Sequence, residues 1–186
     1  TRTPVIGSMT APVFIEGDDV TLRPATDAER AFLTETWNDP RVRAARNDLY
    51  PRSGEDIQQY LGGTVGREEK SLALVVFADE EPVGLVLLIR EQPGDIDFRR
   101  GELAYWISPE EWDNGYATAG AQALLNHAFG RLGLHKVTAR AFETNPGSVR
   151  VLEKLGFTQT GRRREDVFVD GEWLDVTRYE LLEGER

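Results

Sequence analysis

Trp112-Asp113-Asn114-Gly115-Tyr116-Ala117-Thr118 joins an apolar run to an amphipathic one, and its reading decides the fold. Before it, Gly101-Glu102-Leu103-Ala104-Tyr105-Trp106-Ile107 is rich in apolar and aromatic residues and stops at Ser108-Pro109, the pattern of a strand. After it, Ala121, Leu124, Leu125, Ala128, Phe129 and Leu132 recur at i, i+3, i+4, i+7, i+8 and i+11. That spacing predicts one buried helical face, ended by Gly133. Gly115 and the small Ala117 and Ala119 let a ligand approach the main chain, where the first N–H groups of a helix lack intrahelical acceptors. The macrodipole adds roughly half a positive charge there, so the turn suits a pyrophosphate. Alone, the pattern is weak evidence for a ligand and is met more often as a tight turn that merely starts a core helix.

Working outward, Lys136-Val-Thr-Ala-Arg-Ala-Phe142 alternates as a strand does, and Glu143-Thr144-Asn145-Pro146-Gly147-Ser148 opens a short helix running to Leu155. Asn145 is placed to cap it, with Pro146 at the first helical position and Gly156 just past the end. Strand, glycine turn, helix and strand, followed by the stretch from Asn145 to Phe157, resemble the GNAT N-acetyltransferase superfamily. The likeness is greatest to its RimJ/RimL-type branch, whose members acetylate protein N-terminal and other primary amines. It extends to Thr21-Leu22-Arg23-Pro24 and Asp170-Gly171-Glu172-Trp173, and so covers nearly the whole chain.

The length of 186 residues suits one well-buried core, with Thr1 to Pro12 read as a tail and residues 13–186 as a single GNAT-like acetyltransferase domain. The longest apolar stretch, Leu72 to Phe77 and Val83 to Ile89, is broken by Ala78-Asp79-Glu80-Glu81-Pro82, which argues against a membrane span. The start of the chain lacks the basic-then-apolar order of a secretory signal, so a cytoplasmic location is expected. The formal net charge of −10 argues against nucleic acid bound through its phosphates, and favours cationic partners. With no cysteine and only His127 and His135, the chain offers no Cys-His pair and no evident zinc cluster; both histidines read as structural or solvated.

Upstream, Val20 to Arg23 reads as a strand. Thr26 to Glu29 and Ser53 to Asp56 read as capping boxes opening two helices, the first with Phe32, Leu33, Thr36 and Trp37 inward and stopping near Asp39-Pro40, the second with Ile57, Tyr60 and Leu61 on one face and ending before Gly62-Gly63. These helices and the Arg41 to Arg52 connection form the expected substrate-side wall, where Arg41, Arg43 and Arg46 read either as an anion patch or as a solvated face. Two apolar strands, Leu72 to Phe77 and Val83 to Ile89, follow, then a polar loop from Glu91 to Arg100. Phe157 to Phe168 and Trp173 to Leu182 flank an Asp170-Gly171 hairpin. The expected fold is α/β (α+β): a mixed, mostly antiparallel central sheet with helices on both faces.

The resemblance implies direct transfer of an acetyl group from acetyl-CoA, a co-substrate, to an amine, without a metal. In the superfamily a backbone N–H at the end of the strand before the turn meets the thioester carbonyl, which implicates Trp106, Ile107 and Ser108. The diphosphate lies over the N–H groups of Asn114, Gly115, Tyr116, Ala117 and Thr118. Asn145 matches the asparagine that contacts the pantetheine arm, and Ser148 a serine near the sulfur in the RimJ/RimL branch. Where many relatives carry a tyrosine acid this chain has Leu152, leaving Ser148 or water as proton source; where the turn usually begins with Gln or Arg it has Trp112. Glu102 is the favoured base, because a strand carboxylate can face the amine directly or through water, and Glu143 is second. A monomer or a homodimer is compatible with the sequence. The competing readings are a catalytically silent CoA-binding sensor or interaction module and, behind it, a general nucleotide-binding protein.

Overall fold

The computed structural model describes residues 11–46, 48–64, 71–90 and 99–186. The strands are β1 (Ile15–Glu16), β2 (Thr21–Arg23), β3 (Leu72–Ala78), β4 (Glu81–Ile89), β5 (Arg100–Ile107), β6 (Lys136–Phe142), β7 (Thr158–Val169) and β8 (Glu172–Leu182). They form a single sheet in the order β1-β2-β3-β4-β5-β6-β8-β7. Every neighbouring pair is antiparallel except β5 and β6. The parallel pair requires a crossover, and the amphipathic run after Gly115 supplies it as a helix.

Helices cover both faces, as expected. α1 (Arg30–Asn38), α2 (Pro40–Arg46) and α3 (Gly54–Thr64) close one side, where Leu33, Trp37, Val42 and Ile57 pack on Val75, Leu85, Leu87 and Trp106. α4 (Tyr116–Gly130) and α5 (Pro146–Lys154) close the other, with Leu124, Leu125, Phe129 and Leu152 against Val76, Val86, Leu103 and Val137. Burial on both faces explains why β3 and β4 read as continuous apolar runs rather than alternating ones.

Local signals have local outcomes. Ser53 forms a reciprocal box: its N–H donates to Asp56 Oδ2 at 2.8 Å, and Asp56 N–H donates to Ser53 Oγ at 3.2 Å. The Thr26 box is half-formed. Thr26 N–H donates to Glu29 Oε2 at 2.7 Å, but the Thr26 hydroxyl accepts from Ala28 N–H at 3.2 Å, and regular helix begins only at Arg30. In the Thr21-to-Pro24 stretch, Arg23 is buried, forks onto both Glu80 oxygens at 2.8 Å and stacks over Phe77.

Three expectations are corrected. Leu132 lies past the end of α4 and is 37% exposed, because the helix stops at Gly130 before the i+11 position completes the face. The connection from Arg41 contains helix α2, opened by Pro40 directly after Asp39, which ends α1. The second helical segment runs through Gly62 and Gly63 to Thr64 instead of ending before them. Of the expected loop from Glu91 to Arg100, residues 91–98 lie outside the described residues, as do residues 1–10 of the tail, and Arg100 already belongs to β5, paired with Lys136.

Candidate active site

β5 and β6 are paired only at their starts, Arg100 with Lys136, Gly101 with Val137 and Glu102 with Thr138. Beyond Glu102 and Thr138 the parallel ladder ends and the two strands part, opening a cleft in the middle of the sheet. The β4 side of β5 stays paired through Ile107, so the cleft-facing amides of β5 are set by alternation. Ser108 N–H donates to Val83 O at 2.8 Å and is turned toward β4. The Trp106 carbonyl also lies on that side, 2.4 Å from where a Cβ on Gly84 would sit. Tyr105 and Ile107 therefore present their N–H groups to the cleft. Of Trp106, Ile107 and Ser108, only Ile107 has its amide there; sequence alone does not reveal this, because it depends on the register with β4.

Tyr105 bridges the cleft on the α4–α5 face. Its hydroxyl lies 3.0 Å from Ser148 Oγ and donates to the Ser148 carbonyl at 3.2 Å. Burial pushes the Tyr105 hydroxyl up to about 12, against the lowering effect of its bond to Ser148, so it is a protonated donor at neutral pH. Ser148 is fixed from the other side by the α5 cap, in which Asn145 Oδ1 accepts from Ser148 N–H at 3.0 Å. The cap expected of Asn145 thus serves the serine directly. Sequence motifs do not single out Tyr105; its alternation with Leu103 and Ile107 is the signal that puts it on the α4 side of the strand. Leu152 is fully buried in the core, so its position carries no proton chemistry.

At the open end of the cleft stands the N-terminus of α4. Gly115 caps it at φ 84° without a side-chain hydrogen bond, and the first helical bond runs from Ala119 N–H to Gly115 O at 3.0 Å. The amides of Tyr116, Ala117 and Thr118 accordingly have no acceptor within the helix. A Cβ added to Gly115 would meet no atom within 4 Å, so the space before the turn is open. Asn114 is exposed and its side chain donates to Glu111 Oε2 at 3.1 Å. Trp112, 47% exposed, donates from Nε1 to Ile107 O at 2.9 Å, which ties the turn to the end of β5.

The two carboxylates differ. Glu102 lies at the root of the cleft, on the α1–α3 face with Ala104 and Trp106, and its carboxylate pairs with Arg140 Nε at 3.1 Å. Glu143 is tied into the far sheet edge, accepting from Asp175 N–H at 3.0 Å and from Arg162 Nη2 at 3.3 Å. His135 is exposed beyond α4, and His127 packs its ring on Phe14.

The acetyltransferase (GNAT) domain family matches residues 19–158, three-quarters of the chain and the whole of this cleft. The chain belongs to the GNAT acetyltransferase family. Its activity is acetyl transfer from acetyl-CoA to nitrogen. Among relatives, Probable N-acetyltransferase YjcK of Bacillus subtilis (strain 168) is 28% identical over 171 residues, covering 87% of this chain and 92% of YjcK. Uncharacterized N-acetyltransferase YoaA of the same organism is 34% identical over 84 residues, which are 45% of this chain and 48% of YoaA, so the match spans about half the length of that protein. In fold, the acetyltransferase is similar to spermidine N-acetyltransferase from Vibrio cholerae solved with CoA and spermine, with a TM-score of 0.80 and 24% identity over 90% of this chain and 97% of the other. The three free amides and the open space at Gly115 fit the diphosphate of acetyl-CoA. Among the described residues no group of His, Cys, Asp and Glu is placed to hold a metal ion, and no helix is long and apolar enough to cross a membrane.

Proposed function

We propose that this acetyltransferase modifies a primary amine, a protein N-terminus or a small amine, in the manner of the RimJ/RimL-type branch. The observation that carries the reading is the bridge from Tyr105 to Ser148 across a cleft whose open end meets the uncapped start of α4. Acetyl-CoA, when bound, supplies an activated acetyl carbon and a thiolate leaving group. The Tyr116 to Thr118 amides hold the diphosphate, the Tyr105 and Ile107 amides line the pantetheine arm and thioester oxygen, and Asn145 fixes the first turn of α5 beside them.

Two proton movements fall to the chain. Glu102 accepts the proton shed by the attacking nitrogen, directly or through water, and Arg140 holds its carboxylate in place. Ser148 Oγ delivers a proton to the departing sulfur and recovers one from the Tyr105 hydroxyl, which returns to its protonated form from solvent. Ser148 thereby takes the part that a tyrosine at the position of Leu152 would play. On the same reading, residues 13–186 work as one domain in the cytoplasm with residues 1–12 appended.

The test is a thiol-release assay with acetyl-CoA over peptide N-termini, polyamines, aminoglycosides and small amino compounds. Amine-dependent release with at least one class is expected. Tight CoA binding with no release over the whole panel would favour the silent sensor instead.

A further inference from the structure

The wall opposite α4 and α5 holds donors that the mechanism above leaves unused. α2 carries Arg43 and Arg46 one turn apart, and the Arg46 guanidinium lies over the Trp37 ring, 3.8 Å from its centroid. Trp37 meets Tyr60 at 5.1 Å and Trp106 at 6.1 Å, both edge-on, while Phe32 leans on Trp106 at 6.3 Å. Trp106 shares its face of β5 with Glu102. The guanidinium is thus two ring contacts from the strand that borders the cleft, on the side of the proposed base.

Arg43 Nε, Arg46 Nη1 and Trp106 Nε1 are buried and have no hydrogen-bond partner among the described residues; Trp106 as a whole is only 5% exposed. Unpaired buried donors are costly, so the two on α2, with the third two ring contacts away on β5, favour an acceptor brought by a ligand. The carboxylate at hand does not serve them. Asp48 Oδ2 accepts from Trp37 Nε1 at 2.6 Å and faces Arg52 Nε at 3.8 Å. Arg41, at the start of α2, is already paired with Asp39 and Glu110. Burial lowers the pKa of Arg46, with Arg52 acting the same way and Tyr60 and Asp48 opposing; an arginine so placed gains from an incoming negative charge.

We propose that Arg46 and Arg43, backed by the Trp37–Trp106 aromatic wall, bind an anionic group of the acceptor, so that the preferred substrate is an amine that also bears a carboxylate, of amino-acid or peptide type, rather than a polycation. The inference rests on the amine-acetylation reading and on entry of the acceptor over the α1–α3 face. The net charge of −10 attracts cations at a distance, but within the wall Arg43, Arg46 and Arg52 repel them.

The experiment compares L-phenylalanine with L-phenylalaninamide, which differ in the carboxylate, and with spermidine. kcat/KM is measured for wild type, Arg46→Gln and Arg46→Lys. Wild type should prefer the acid to the amide by about tenfold or more, Arg46→Gln should bring the ratio near one, and Arg46→Lys should restore part of it. A ratio that Arg46→Gln leaves unchanged, or a wild-type preference for the amide or spermidine, overturns the proposal. Calorimetric binding of the acid and the amide to CoA-loaded protein separates the two readings. A carboxylate preference in binding that Arg46→Gln removes, without thiol release on any amine, upholds the anion site and sinks the enzyme reading. Equal or absent binding of both probes, with turnover of other amines, sinks the anion site alone. Should Arg46→Gln fail to fold, Arg43→Gln is held to the same ratio test.

Discussion

The Tyr105 hydroxyl and Ser148 Oγ stand 3.0 Å apart, joining β5 to the first turn of α5 across the cleft where the parallel ladder has already ended. No main-chain bond links the two elements at that level, so the side-chain contact fixes both the serine and the width of the gap.

Tyr105→Phe keeps the ring in the core and removes only the bridge. The expected result is a fall in kcat of about tenfold, with the KM for acetyl-CoA changed much less. Ser148→Ala should cost at least as much, and the double variant no more than Ser148→Ala alone, because the tyrosine acts through the serine. Steady-state kinetics on the three variants decides this; additive losses would separate the two residues.

Glu102→Gln removes the proposed base while retaining a partner for Arg140. A drop in kcat of ~10²-fold or more is expected, with little change in CoA affinity. Equal rates in both proteins across pH would remove Glu102 from the chemistry.

Gly115→Val places branched carbons in the open space before α4, where a Cβ meets no protein atom. The φ of 84° makes valine strained there, at a cost of about 1–2 kcal/mol, so a lower Tm is expected. The diagnostic effect is on binding: the folded variant should bind CoA about tenfold more weakly or worse, measured by calorimetry. Wild-type affinity would move the diphosphate elsewhere.

The raised pKa of Tyr105 has a sign that can be checked. From pH 10, its ordinary value, to about 12, the unfolded chain sheds a proton that the folded chain retains. The stability from this group is intact below that window and is lost as pH rises through it. Thermal melts of wild type and Tyr105→Phe should therefore diverge less above pH 10 than below it. An alkaline limb in kcat/KM at lower pH belongs to another group and should persist in Tyr105→Phe.

The skeleton of the cleft was legible because its signals are local. The periodicity of Ala121 to Phe129, the Asn145 cap with Pro146 behind it, and Asp170-Gly171, both at positive φ between β7 and β8, need only neighbours in sequence. What escaped depends on distant partners. The reach of Tyr105 to Ser148 follows from where the β5–β6 ladder stops. The turning of Ser108 N–H away from the cleft follows from its bond to Val83. The patterning of α2 leaves Arg46 open to reading as a solvated charge, and only the packing of α1 beneath it, with Trp37 under the guanidinium, takes it partly out of water.

A crystal structure of the protein with CoA tests the central claim most directly. It should show the diphosphate within hydrogen-bond distance of the Tyr116, Ala117 and Thr118 amides, the pantetheine arm along the Tyr105 and Ile107 amides, and the sulfur beside Ser148 Oγ. CoA bound away from the cleft, or a diphosphate making no contact with the start of α4, would contradict it.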